Sequence, residues 1–120
     1  MRILAIRGRN IASLEGDFEI DFEGGVLGDV GLFAITGPTG SGKSTILDAL
    51  CLALFDTTPR AGDASREVRP RHPGLEDADP LTAQDTRNLL RRDATEGFAE
   101  VDFIGRDGVA YRARWEVYRA

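Results

Sequence analysis

Residues 34–50 read AITGPTGSGKSTILDAL. Inside this stretch, Gly37-Pro38-Thr39-Gly40-Ser41-Gly42-Lys43-Ser44 meets every constrained position of the spacing GxxxxGK[ST]. Glycines at 37, 40 and 42 let the backbone take conformations barred to other residues and bring its N–H groups close to an anion. Those amides, with the free N–H groups of a helix that starts there, converge on phosphate oxygens at the positive end of the helix dipole. Lys43 is the single lysine of the chain. Its ammonium is a compact charge suited to β- and γ-phosphates, where the planar fork of an arginine fits a narrow nest less well. The Ser44 hydroxyl is placed to ligate Mg²⁺ and Thr45 to bond an α-phosphate. The chemistry implied is the gripping of a nucleoside triphosphate with its magnesium ion.

A phosphate loop of this kind needs a strand before it and a helix after it. "LFAIT", residues 32–36, is a short continuous apolar run, which predicts a strand buried on both faces. From Lys43 to Phe55, Ile46, Leu47, Ala49, Leu50, Ala53 and Leu54 recur at helical spacing with no glycine or proline between them. Two further strands are expected earlier, at 2–9 and 17–22, the second placing Phe18, Ile20 and Phe22 on one face. "NIASLEG" supplies the turn between them, and the glycine-rich 23–31 reads as a loop. Strands are again expected in "GFAEVDFI", with Phe98, Val101 and Phe103 apolar, and in "VAYRARWEVYR". Asp107-Gly108 joins them as a hairpin. Residues 57–88 hold four of the five prolines and predict a long, mobile loop, with a helical turn in "TAQDTRNLL". The last strand runs to residue 119 without a closing element, which reads as a fragment of a longer chain.

At 120 residues, with 42% hydrophobic and 29% charged residues, the chain suits one globular domain. It contains no membrane-spanning run and no signal-peptide pattern, and Cys51 alone excludes an internal disulfide framework. The cytoplasm is the expected compartment. A net charge of −5 opposes bulk attraction to nucleic acid. The cluster Arg66, Arg69 and Arg71 is diluted by Glu67, Glu76, Asp77 and Asp79 and reads as a solvated loop. His72 lacks a second ligand-type residue at metal spacing and reads as an exposed loop histidine. Cys51 reads as a small buried hydrophobe, and Trp115 and Tyr111 as sheet-face packing. Asp48 is open to two readings, support for the Mg²⁺ shell or a surface carboxylate.

Triphosphate hydrolysis also needs a carboxylate at a second strand end and a group that orients water. No apolar run after residue 55 ends in such a carboxylate, so binding without turnover is expected. A guanine-reading Asn-Lys-x-Asp signature is impossible with the one lysine already used. A small-molecule kinase places its loop nearer the N-terminus, and a secretion-type ATPase carries a large domain before it.

The opening strand with Asn10, the "IDF" strand, "GLFAITGPTGSGKSTILDA", "CLALF", "TPR", "RRDATEGFAEVDF" and "YRARWEV" together resemble the N-terminal segment of the SbcC nuclease subunits. These are close kin of the Rad-fifty and SMC group of ABC-type ATPases. The resemblance spans almost the whole chain. It implies an α/β P-loop fold, residues 1–120 forming the N-terminal lobe of an ABC-type ATPase head, with a mixed or antiparallel sheet around the loop helix. It implies ATP and Mg²⁺ as ligands, with Gly37, Pro38, Thr39, Gly40, Ser41, Gly42, Lys43, Ser44 and Thr45 as the contacts and Ser44 on the metal. It further implies a C-terminal lobe of the same full-length chain reached through a long coiled coil, carrying the signature motif and the catalytic glutamate. Implied partners are a second head, an SbcD-type nuclease subunit and double-stranded DNA, with a nucleoid-associated location. Gln84 precedes the family's glutamine-loop region, and Ala12 lacks the polar group that some relatives bring to the nucleotide. The alternatives are an SMC-like chromosome-organising head without a nuclease, or a stand-alone phosphotransferase or secretion-type ATPase.

Overall fold

A computed structural model describes residues 1–28, 31–59 and 85–120. Four strands form one antiparallel sheet: β1 (Arg2–Ile11), β2 (Leu14–Asp21), β3 (Glu96–Ile104) and β4 (Ala110–Tyr118), in the order β2-β1-β3-β4. A 13-residue helix, α1 (Lys43–Phe55), lies against it.

The sheet forms because its strands separate apolar and charged side chains at period two. On β2, exposed Glu15, Asp17, Glu19 and Asp21 alternate with half-buried Leu14, Gly16, Phe18 and Ile20. Phe18 pairs with Gly8 of β1, and its ring lies where a Cβ on residue 8 would stand, 2.5 Å from that position. Gly8 is therefore the space that lets an aromatic ring close over the sheet. Between β3 and β4 the chain turns at Gly108 (φ 75°), with the Asp107 carboxylate accepting from the Val109 N–H at 3.0 Å. This is the hairpin that Asp107-Gly108 predicts.

The core gathers on one face, where Ile6, Ile11, Ala99 and Val101 meet Ala49 and Leu52 of α1 and Leu89. Leu52 and Val101 are essentially sealed from water, each contributing about 1.5–3 kcal/mol by burial. The opposite face is a cross-strand lattice of ion pairs. Arg7 donates to Glu19 (2.9 Å), Glu100 (3.1 Å) and Asp102 (2.7 Å), Arg112 to Asp102 (2.6 Å), and Arg114 to Glu100 (2.9 Å). Arg9 bridges Asp17 and Glu96. These arginines are matched by carboxylates, so this face is no phosphate-binding patch, as the net charge suggests.

One expectation is corrected. Residues 32–36 form no strand: they are irregular and exposed, Leu32 by 89% and Ile35 by 46%. A strand buried on both faces needs neighbours on each side, and among the described residues β2, β1, β3 and β4 pair with one another and, at a single bridge from Ile11, with Leu90, never with 32–36. Phe33 instead stacks on Phe22 with centroids 5.0 Å apart. Phe98 belongs to the charged face, where the Arg114 guanidinium lies 3.9 Å from its ring centroid, and Ala99 and Val101 point to the core. Finally, the proposed loop at 57–88 falls mostly on 60–84, outside the described residues, together with Arg66, Arg69, Arg71, His72 and Gln84. Its described end contains the expected turn, a 3-10 helix at Thr86–Leu89 whose Arg87 N–H is capped by Asp85.

Candidate nucleotide site

The loop from Gly37 to Gly42 is bent by two left-handed glycines, Gly40 (φ 83°) and Gly42 (φ 95°). The Ser41 N–H donates to Pro38 O at 3.2 Å and closes the turn. A Cβ on Gly37 would stand 2.8 Å from Ser41 Oγ, so any larger residue there would have to turn the Ser41 hydroxyl aside.

α1 begins at Lys43 straight out of this loop, and its first backbone bond is Ile46 N–H to Gly42 O, 3.3 Å. No side chain caps the helix start, and its first turn holds no acidic residue. The leading N–H groups thus lack the usual side-chain acceptor and face no competing carboxylate. Lys43 turns back over the loop, its ammonium donating to the carbonyls of Gly37 and Pro38, the latter at 2.9 Å. Ser44 is exposed, whereas Thr45 is buried. Glycine-given curvature, open amides and one ammonium at the lip of the loop suit a polyphosphate anion. Among the described residues no three His, Cys, Asp or Glu side chains gather into a metal site.

Residues that the loop pattern does not signal also stand here. The turn between β1 and β2 brings Ser13 Oγ to 3.3 Å from Thr45 Oγ1. Leu14 packs against Gly42, its Cδ2 2.6 Å from where a Cβ on residue 42 would be. Arg91 reaches the same turn from the other side, donating to Ser13 O at 3.1 Å. No local spacing links positions 13, 14 and 91 to residues 42–45; antiparallel pairing of β1 and β2 and an isolated bridge between Ile11 and Leu90 bring them together.

On α1, Asp48 is buried and not the surface carboxylate of one reading. Cys51 is partly buried, and burial, with the Asp48 charge adding, pushes its thiol up, away from thiolate character. Trp115 packs on the core as expected and donates its indole N–H to Asp56. No described helix is long and apolar enough to cross a membrane.

The AAA domain family matches residues 5–120. The SbcC subunit of the SbcCD nuclease from Pseudomonas aeruginosa is 56% identical over 120 residues, 100% of this chain and 10% of that protein. Its namesake from Rhodobacter capsulatus is 53% identical over 121 residues, again 100% of this chain and 10% of that protein. The DNA double-strand break repair Rad50 ATPase of Methanopyrus kandleri is 32% identical over 89 residues, 74% of this chain and 7% of that protein. The chain thus spans about a tenth of the length of the relatives that cover it completely. On the strength of the match across nearly all its residues, the chain belongs to the AAA domain family of P-loop ATPases and is homologous to the N-terminal segment of SbcC-type nuclease subunits.

Proposed function

We propose that this segment is the ATP-binding N-terminal half of an ATPase head in an SbcC-like complex for DNA double-strand-break repair. The observation that carries the reading is the uncapped start of α1, free of acidic residues, with the Lys43 ammonium poised on the adjoining loop. The backbone N–H groups of residues 40–45 donate to phosphate oxygens. Lys43 exchanges the Pro38 carbonyl for the β- and γ-phosphates, so its charge meets an anion in place of a dipole. Gly37, Pro38, Thr39 and Ser41 shape the nest, Ser44 holds Mg²⁺, and Thr45 bonds the α-phosphate. The bound magnesium nucleotide supplies the charge that draws these groups together.

The carboxylate that activates water comes from the C-terminal lobe of the same full-length chain, so this half binds ATP without turning it over. The exposed apolar residues Leu32, Ile35, Leu47 and Phe55, beside the loop and on the helix, are surface that such a lobe would cover. Two heads close on bound nucleotide and part after its hydrolysis, a mechanical cycle that drives the opening and cutting of DNA ends by an SbcD-type nuclease. Both relatives that cover the whole chain are named as subunits of such a nuclease, which favours this over a nuclease-free SMC-like head. The complex acts in the cytoplasm on nucleoid DNA. Calorimetric titration of the full-length protein with Mg·ATP tests the assignment. Lys43→Ala is expected to remove the binding heat and leave the melting temperature of the nucleotide-free protein unchanged. Binding heat equal to wild type would overturn it.

A further inference from the structure

The turn joining β1 to β2 is strained. Asn10 and Ala12 sit at φ 52° and 47°, in the left-handed region that non-glycine residues enter at a cost of about 1 kcal/mol or more. Such strain persists where the surroundings over-determine it. Here the surroundings are residues 89–91. Ala12 N–H donates to Leu89 O (2.7 Å), Arg91 N–H to Asn10 O (2.9 Å), and the Arg91 guanidinium to Ser13 O (3.1 Å). The same guanidinium lies 3.6 Å from the Glu15 carboxylate. The Asn10 side chain completes the brace, accepting from Gly16 N–H at 2.9 Å and donating to Glu96 O at 3.1 Å.

The opposite side of this turn touches the start of α1, through Ser13 Oγ on Thr45 and Leu14 on Gly42. Arg91 is therefore linked to the phosphate-loop helix through one strained turn without touching the loop itself. We infer that Arg91 is a positioning residue of the nucleotide site: by holding the Ser13 carbonyl it seats the Ser13 hydroxyl against Thr45. Ser13 O–H then donates to Thr45 Oγ1, which leaves the Thr45 proton for the α-phosphate. Lysine is a poor replacement, because one ammonium on a flexible stem does not reproduce the guanidinium fork that reaches both Ser13 O and Glu15. This inference rests on the nucleotide-binding reading above.

The test is Mg·ATP titration of the full-length protein, with nucleotide-free melting in parallel, for wild type, Arg91→Ala, Arg91→Lys, Ser13→Ala and the Arg91→Ala/Ser13→Ala double variant. Arg91→Ala and Ser13→Ala are each expected to raise Kd about five-fold, the worth of one hydrogen bond. Arg91→Lys falls between wild type and Arg91→Ala. The double variant is expected to lose no more than either single one, because both changes break the same link. Ser13 is exposed as a residue and Ser13→Ala is expected to melt close to wild type, so it decides the matter even if Arg91→Ala melts lower. Wild-type affinity in Ser13→Ala, or additive losses in the double variant, would overturn the inference. If Lys43→Ala abolishes binding while Arg91→Ala binds normally, only this inference fails. If the wild-type protein takes no Mg·ATP, the nucleotide reading itself fails.

Discussion

The indole N–H of Trp115 donates to Asp56 Oδ1 at 2.9 Å, and so joins β4 to the last turn of α1. Asp56 is also the residue that ends the helix. It stands at φ 54°, and its own N–H donates to Leu52 O at 3.0 Å. One side chain thus accepts the tether while its backbone makes the left-handed cap, which aspartate tolerates better than most residues. Because the other end of α1 carries the phosphate loop, this tether fixes the helix from behind. Asp56→Ala is expected to destabilise the protein by about 2 kcal/mol, the sum of a lost hydrogen bond and a left-handed alanine. Asp56→Asn keeps an acceptor and tolerates the conformation, so it should stay within about 0.5 kcal/mol of wild type. Thermal melting separates the two; equal losses would show that the tether contributes nothing.

Most of this arrangement was legible in the residues. Alternation on 17–22, the Asp107-Gly108 turn and the helical spacing of 43–55 correspond to β2, the β3–β4 hairpin and α1. Each is a local signal, set by which face a side chain must bury. What failed was non-local. The apolar run 32–36 reports a need for burial but not which strands would supply it, and none of the four described strands does. The pattern marks Phe98, Val101 and Phe103 as apolar without saying which of them faces the core. The core side of β3 is carried by small Ala99 and by Val101 under α1, while Phe98 lies beneath Arg114. Ser13, Leu14 and Arg91 were invisible for the same reason: their nearness to residues 42–45 arises from strand pairing across most of the chain.

The ion-pair lattice gives the fold an acid limit. The Arg112 guanidinium holds the Asp102 carboxyl down to about 2, with Arg7 adding to the effect and burial opposing it. A carboxyl whose folded pKa lies below its unfolded value of 3.8 contributes stability that is complete above about pH 4 and disappears as pH falls through about 2. Since Arg112 is well exposed, solvent screening leaves this contribution on the order of 1–2 kcal/mol. Asp102→Asn should therefore lower the melting temperature at pH 6 and match wild type near pH 2. A constant difference across that range would mean that the charge on Asp102 is not what stabilises β3 against β1 and β4.

Gly42 bears two independent demands, and a pair of substitutions separates them. Its φ of 95° lies where alanine is strained by about 1–3 kcal/mol. A Cβ there would also stand 2.6 Å from Leu14 Cδ2, a flexible side-chain end that can move at modest cost. Gly42→Ala should therefore remove most Mg·ATP binding by turning the first amides of α1 away from their common focus. Adding Leu14→Ala relieves the contact but not the backbone, so the Gly42→Ala/Leu14→Ala protein should bind no better than Gly42→Ala alone. Recovery of binding in the double variant, read by the same titration, would place the defect in Leu14 packing and not in loop curvature. The focusing of amides by the loop's left-handed glycines would then lose its main support.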